Sequence, residues 1–178
     1  MQELTDKAAW QKKAAGILAF RYLSPTELEA VVGVAGFLRY EPGELVVGEG
    51  ELESYFYGIL EGTVSVSVRD SSEPGAAKDV YMCALGPGDA FGEAGLFMNV
   101  RRTASVRAAD AATLIRIHRS DFSAFIRAQS AGGNKLLLVI IYGLLRKLRA
   151  ANQELAYERK ADLDQTDVDA LLEDMLGS

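Results

Sequence analysis

The chain has 178 residues, room for one ordinary domain of ~100–200 residues and not for two full ones. At 49% hydrophobic and 25% charged it sits at the globular average, which excludes global disorder. The net charge of −6 is uneven: residues 161–178 hold Asp162, Asp164, Asp167, Asp169, Glu173 and Asp174 and no base, while the other 19 acidic and 19 basic residues balance.

The longest apolar run, Leu136–Leu145, covers 10 residues and is followed by Arg146 and Lys147, short of the ~20 that a membrane helix needs. The first residues, Met1-Gln2-Glu3-Leu4, carry no signal-peptide core, so a cytoplasmic protein without a membrane partner is expected. One cysteine, Cys83, excludes an intrachain disulfide framework, and one histidine, His118, excludes a multi-histidine metal site. The only basic cluster, Arg146, Lys147 and Arg149, reads as the solvated face of a helix. That is too little for the basic stripe of a DNA-binding protein, and no DNA partner is expected.

Residues 3–20 read as a helix rich in Ala and Lys. Ser24-Pro25-Thr26-Glu27 is a capping box with proline at the first helical position, and Leu28, Val31 and Val32 supply the apolar face behind it. From residue 37 the pattern becomes β. Glu41-Pro42-Gly43-Glu44 is a turn, and Leu45–Val47 and Tyr55–Leu60 are short strands. Thr63–Val68 alternates with Val64, Val66 and Val68 on one face, a half-buried strand. A polar loop over 69–79 leads to a strand over Val80–Leu85, in which Cys83 is expected to pack as a small hydrophobe. Gly86-Pro87-Gly88-Asp89 turns the chain, and 103–109 and 112–118 are further strands, with His118 structural or exposed. The remaining strand aromatics are expected in the core. Short strands with turn signals every 8–12 residues indicate a sandwich or barrel.

Ser120-Asp121 is expected to cap a helix through about Gln129, interrupted by Gly132-Gly133, before a long helix over about 134–160. In it Leu137, Ile141, Leu144, Leu148, Ala151 and Leu155 recur at spacings of 4, 3, 4, 3 and 4, an a/d seam. The seam suits packing on the protein's own barrel or a parallel two-fold coiled coil, and Leu136, Ile140 and Leu145 make the apolar stripe wide enough for both. Val168, Leu171, Leu172 and Met175 form a last amphipathic pattern that Thr166 would cap and Gly177 would end.

Phe91-Gly92-Glu93-Ala94-Gly95-Leu96-Phe97 through Arg101-Arg102-Thr103-Ala104 carries the chemistry. Glu93–Phe97 reads as one helical turn in a β region, and the free N–H groups at its start suit an anion. Arg101-Arg102 follows at the opening of a strand, where an arginine beside backbone N–H groups holds a phosphate bidentately. Glu93 beside an anion makes sense if it meets a hydroxyl donor such as a ribose. An anion with a sugar hydroxyl describes a nucleotide.

The segment resembles the phosphate-binding cassette of the cyclic-nucleotide-binding domain family, found in kinase regulatory subunits, gated channels and catabolite-activator-like regulators. The family pattern is Phe-Gly-Glu, eight residues, then Arg, a small residue and Ala; Phe91-Gly92-Glu93 and Arg102-Thr103-Ala104 fit it without a gap. The resemblance covers about residues 18–155. Its opening Pro-Gly-Glu hairpin looks like Phe37 to Gly50, and its Tyr-Phe…Gly-x-Val strand pair looks like Tyr55–Val64.

The resemblance implies an α+β fold: a β-roll, jelly-roll-like, flanked by N-terminal helices and a long C-terminal helix. The expected organisation is N-terminal helices over 1–36, the nucleotide-binding β-roll over 37–119, C-terminal helices with the heptad seam over 120–160 and an acidic tail over 161–178. It implies cAMP or cGMP as ligand, and no metal. Arg102 would pair with the cyclic phosphate, and Glu93 would accept from the ribose 2′-hydroxyl. Gly92 would allow close approach, backbone N–H groups near Ala94 and Ala104 would meet phosphate oxygens, and Thr103 would add a hydroxyl, which in relatives tilts the choice toward guanine. Tyr142, Arg146 and Arg149 are candidates to cover the base.

Catabolite-activator-like regulators continue into a helix-turn-helix domain, which the acidic residues after Lys160 do not match. A stand-alone sensor is therefore expected, homodimeric through the 137–155 helix and signalling to a protein partner by way of its C-terminal helices and acidic tail. The alternative is a dimerisation scaffold that has lost nucleotide binding. A cupin-like enzyme would need several histidines for its metal, and a single His118 cannot supply them, so no catalysis is expected.

Overall fold

Local sequence sets where each element begins. In the computed structural model, which describes residues 1–70 and 78–161, the first three elements are β1 (Gln2–Leu4), α1 (Lys7–Ala14) and α2 (Pro25–Val34), with a 3-10 turn at Leu18–Phe20. The single helix expected over 3–20 is therefore broken. Gln2–Leu4 pairs antiparallel with Phe37–Arg39, and the Met1 ammonium meets the Glu44 carboxylate. Asp6 then starts α1 by accepting from the Ala9 amide at 3.2 Å. The capping box of α2 forms in full. The Ser24 amide donates to the Glu27 carboxylate at 2.7 Å, and the Glu27 amide donates to Ser24 Oγ at 3.3 Å.

The roll consists of β2 (Gly36–Tyr40), β3 (Leu45–Val47), β4 (Tyr55–Glu61), β5 (Val64–Asp70), β6 (Lys78–Leu85), β7 (Ala90–Phe91), β8 (Ser105–Ala108) and β9 (Ala112–His118). One antiparallel sheet runs β1-β2-β9-β4-β7 and the other β3-β8-β5-β6. Leu38, Tyr40, Val47, Tyr57, Ile59, Val64, Val106 and Leu114 fill the space they enclose. The outer face of β4 and β9 is also buried. Gly58 lies under Ile17, whose Cδ1 would be 2.5 Å from a Cβ there, and Phe20 meets Phe56 at 6.2 Å between ring centroids. This double burial is why Tyr55–Leu60 reads as a continuous apolar run and not as an alternation.

The second sheet is wetter at its far edge. Val64 is fully buried, but Val66 and Val68 are only half-buried, and Val80, Tyr81, Met82 and Cys83 on β6 are exposed. Cys83 therefore does not pack as a small hydrophobe, nor does Tyr81 join the core: both are exposed on β6, an outermost strand of its sheet.

After β9 come α3's partner α4 (Arg119–Ala128) and the long α5 (Ser130–Ala161); α3 (Ala94–Phe97) is the single turn inside the cassette. The cap of α4 is His118, whose Nδ1 accepts from the Ser120 amide at 3.2 Å, in place of the expected Ser120-Asp121. Gly132 and Gly133 do not interrupt a helix; they lie in the first turn of α5, where a Cβ would come within 3.0 Å of Glu27 Cγ and of Ile126 Cα respectively. They let α5 start against α2 and α4.

Lys135 completes that junction by donating to Glu27 at 2.8 Å. The Lys135 ammonium, then the Ser24 amide, holds the Glu27 carboxyl below the usual glutamate range despite its burial. A carboxyl with a lowered folded pKa stabilises above its unfolded pKa of about 4.3 and loses that contribution as pH falls through the folded value. The thermal midpoint is thus expected to drop more steeply below about pH 4.3 in the parent protein than in Glu27→Gln. Parallel slopes in melts between pH 6 and pH 3 would count against the pairing.

The chain divides into two compact units, Met1–Val139 and Ile140–Ser178. In the second, Ile141, Leu144, Leu148 and Ala151 of the seam are exposed. The side chain of Leu155 and the expected helix around Val168, Leu171, Leu172 and Met175 lie outside the described residues.

Candidate functional site

The cassette is built where the β7 strand ends. Gly92 has φ +82°, a left-handed conformation that favours glycine, and it lets the chain turn from β7 into α3. The Gly95 amide donates to Gly92 O at 3.1 Å and the Leu96 amide to Glu93 O at 3.0 Å, closing the turn. Glu93 opens α3 and is half-buried, while Ala94 is exposed.

Arg102 arrives from the other side of the cassette. Its backbone is fixed against the loop before β4: the Arg102 amide donates to Glu51 O at 2.9 Å and the Gly50 amide to Arg102 O at 2.8 Å. Arg101 is exposed and donates to Gly50 O at 2.7 Å, serving this loop. The side chain of Arg102 is only 10% exposed. Its Nη2 donates to Tyr55 O at 2.6 Å and lies 3.7 Å from the Glu53 carboxylate. Its Nε is buried without a hydrogen-bond partner among the described residues, a condition rare in folded proteins. A Cβ on Gly92 would stand 2.6 Å from Arg102 Nη1, so the glycine and the guanidinium occupy one spot. Thr103 is exposed and Ala104 half-buried, directly after it.

The structure therefore sets the Arg102 side chain against Gly92 and Gly95 of the α3 turn, with Glu93 and Ala94 in that turn and Thr103 and Ala104 following Arg102 along the chain. The three positions expected to cover a base, Tyr142, Arg146 and Arg149, fall on α5 in the second unit, all exposed.

Sequence reasoning missed the Glu53–Tyr57 pair. The Tyr57 hydroxyl donates to Glu53 at 3.2 Å, its ring stacks on Phe91 at 5.0 Å, and Arg102 Cζ lies 5.9 Å over it. Burial, then the Glu53 charge, pushes the Tyr57 hydroxyl pKa up, so the phenol stays protonated and donating. Tyr57 lay in an apolar run and Glu53 in a polar loop, and no spacing linked them. Among the described residues no cluster of His, Cys, Asp and Glu could hold a metal, and no helix is long and apolar enough to cross a membrane.

The site is thus an antiparallel roll flanked by helices, in which a nearly buried arginine faces a glycine-led turn. Residues 37–129 match the family model of the cyclic nucleotide-binding domain, and the chain belongs to that family. It is 32% identical over 108 residues to a cGMP-dependent protein kinase of Plasmodium berghei, covering 61% of this chain and 12% of the kinase. It is 31% identical over 113 residues to a cyclic nucleotide-gated potassium channel of Mesorhizobium japonicum, covering 64% of this chain and 28% of the channel. The chain thus spans a small part of the length of these relatives. Its fold is similar to the catabolite activator protein of Thermus thermophilus, with TM-score 0.70 and 25% identity, over 80% of this chain and 63% of that one. It is also similar to a cyclic nucleotide-binding domain of Methylobacillus flagellatus, with TM-score 0.78 and 16% identity, over 88% of both chains.

Proposed function

We propose that the protein is a cyclic-nucleotide sensor that takes cAMP or cGMP in its cassette and signals, without catalysis, through its C-terminal helices. The buried Arg102 carries this reading: nine-tenths of its side chain is out of solvent, its Nε has no partner among the described residues, and the turn facing it is led by a glycine. A cyclic phosphate supplies the anion that a buried guanidinium needs. Glu93 accepts from the ribose 2′-hydroxyl, backbone N–H groups near Ala94 and Ala104 meet phosphate oxygens, and Thr103 adds its hydroxyl. Relatives span both ligands: one is a cGMP-dependent protein kinase, and another is a regulatory domain of Toxoplasma gondii PKA with cAMP.

Charge-assisted bonds of roughly 1.5–3 kcal/mol each, two or three in number, with burial of the base, reach about 8 kcal/mol, a micromolar Kd. Isothermal titration with cAMP and with cGMP tests this. Micromolar or tighter binding of either supports the sensor. No heat and no thermal shift with either, in folded protein, leaves the dimerisation scaffold.

The exposed a/d positions of α5 support self-association in both cases. Ile141, Leu144 and Leu148 present apolar side chains at heptad spacing to solvent, which a second copy in parallel register covers. Sedimentation is expected to give a dimer for the parent and a monomer for Ile141→Lys combined with Leu148→Lys. A parent that sediments as a monomer at tens of micromolar would refute the seam.

A further inference from the structure

Arg119, the first residue of α4, has no place in the cassette motif, yet its side chain ends on the cassette. Its Nε and Nη2 donate to the carbonyl of Gly95 at 2.9 and 2.7 Å, and Nη2 also donates to the carbonyl of Met98. Those carbonyls belong to the end of α3, a single turn whose C-terminal acceptors have few intrahelical partners. The backbone amide of Arg119 donates in turn to Ser54 O at 2.8 Å. Ser54 lies between Glu53, which faces Arg102, and Tyr55, whose carbonyl holds it. One residue therefore bonds the α3 turn through its side chain and the Arg102 cradle through its backbone, and it also starts α4. The apolar contact beside it is thin: Phe97 meets Phe122 edge-on at 6.1 Å, and Phe97 is itself exposed.

We infer that Arg119 is the positioning residue that ties the α3 turn to α4, so that a displacement of the cassette by a bound nucleotide is carried into α4. A planar fork on two carbonyls fixes direction as well as distance, which a lysine on one carbonyl does not. This rests on the proposed function for the nucleotide, but the tie itself is a property of the free protein.

Hydrogen exchange tests both parts on the full chain. In the free protein, Arg119→Ala is expected to speed exchange at the Leu96 and Met98 amides and in α4 together, by about tenfold or more. Arg119→Lys restores part of this. With saturating cAMP or cGMP, the parent changes exchange in α3 and in α4. Arg119→Ala still binds, within about tenfold of the parent, but only α3 responds. If α4 of Arg119→Ala responds to nucleotide as the parent does, or if its free-state exchange changes in α4 alone, the inference is wrong. If Arg119→Ala does not fold, Arg119→Lys carries the same comparison, and an α4 response equal to the parent's overturns it. If the parent binds neither nucleotide, the functional reading fails, and the free-state comparison alone decides whether Arg119 joins the two helices.

Discussion

Arg102→Glu is expected to weaken binding of cAMP and cGMP from micromolar to at least tens of micromolar, and into the millimolar range at the upper end. Removing one partner of a buried charge pair costs roughly 2–5 kcal/mol, a factor of about 30 to several thousand in Kd. The new carboxylate adds repulsion, because it would stand near Glu53, now 3.7 Å from Nη2, and near the phosphate itself. Tyr55 O also loses the donor that now reaches it at 2.6 Å. Arg102→Lys keeps the charge but not the fork, so it is expected to fall between, at roughly tenfold weaker binding. Titration gives the affinities, and the nucleotide-induced shift of the thermal midpoint checks them in the same samples. Undiminished binding by Arg102→Glu would remove the cassette from the account.

Gly92→Ala is expected to be the most damaging single methyl in the site. At φ +82° an L-residue carries about 1–2 kcal/mol of strain. The added Cβ meets Arg102 Nη1 at 2.6 Å and Tyr55 O at 2.7 Å. The arginine can swing aside; the carbonyl is strand backbone and cannot move without disturbing β4. With overpacking of about 1–3 kcal/mol added, the loss reaches roughly 2–5 kcal/mol. For a chain of this length that lowers the thermal midpoint by roughly 4–20 °C. Gly43→Ala is the control: its φ is +85°, but nothing lies within 4 Å of the added Cβ, so strain acts alone. Equal midpoints for the two variants would show that the Tyr55 carbonyl gives way.

Elements whose cause is local were legible. The capping box of α2 needs only Ser24, Pro25 and Glu27, and it forms as read. The turns at Gly43 and Gly88 follow from glycine at positive φ. The cassette segment was legible as a resemblance carried by Phe91-Gly92-Glu93 and Arg102-Thr103-Ala104, and the fold sets Gly92 against the Arg102 guanidinium. What was not legible depends on partners far along the chain. Gln2–Leu4 is a strand only because β2 offers an edge. His118 is a helix cap because the chain bends there at the end of β9. Glu53 and Tyr57 belong to the site because Arg102, far along the sequence, folds back onto their loop. Cys83 and Tyr81 are exposed because the sheet ends at β6, and strand composition does not say which strand is outermost.

The strand order has a kinetic consequence. The centre of the larger sheet is β9, which pairs with β2 through Gly36↔Arg116 and with β4 through Tyr55↔His118. β9 is the last strand among the described residues, so neither β2 nor β4 has its long neighbour until residues 112–118 have been synthesised. Closing such long loops before any pairing rewards them makes folding slow. A ribosome-bound chain lacking β9 holds β4 and the Arg102 cradle without a scaffold. On the proposed function, nucleotide would therefore stabilise the protein only after β9 has docked.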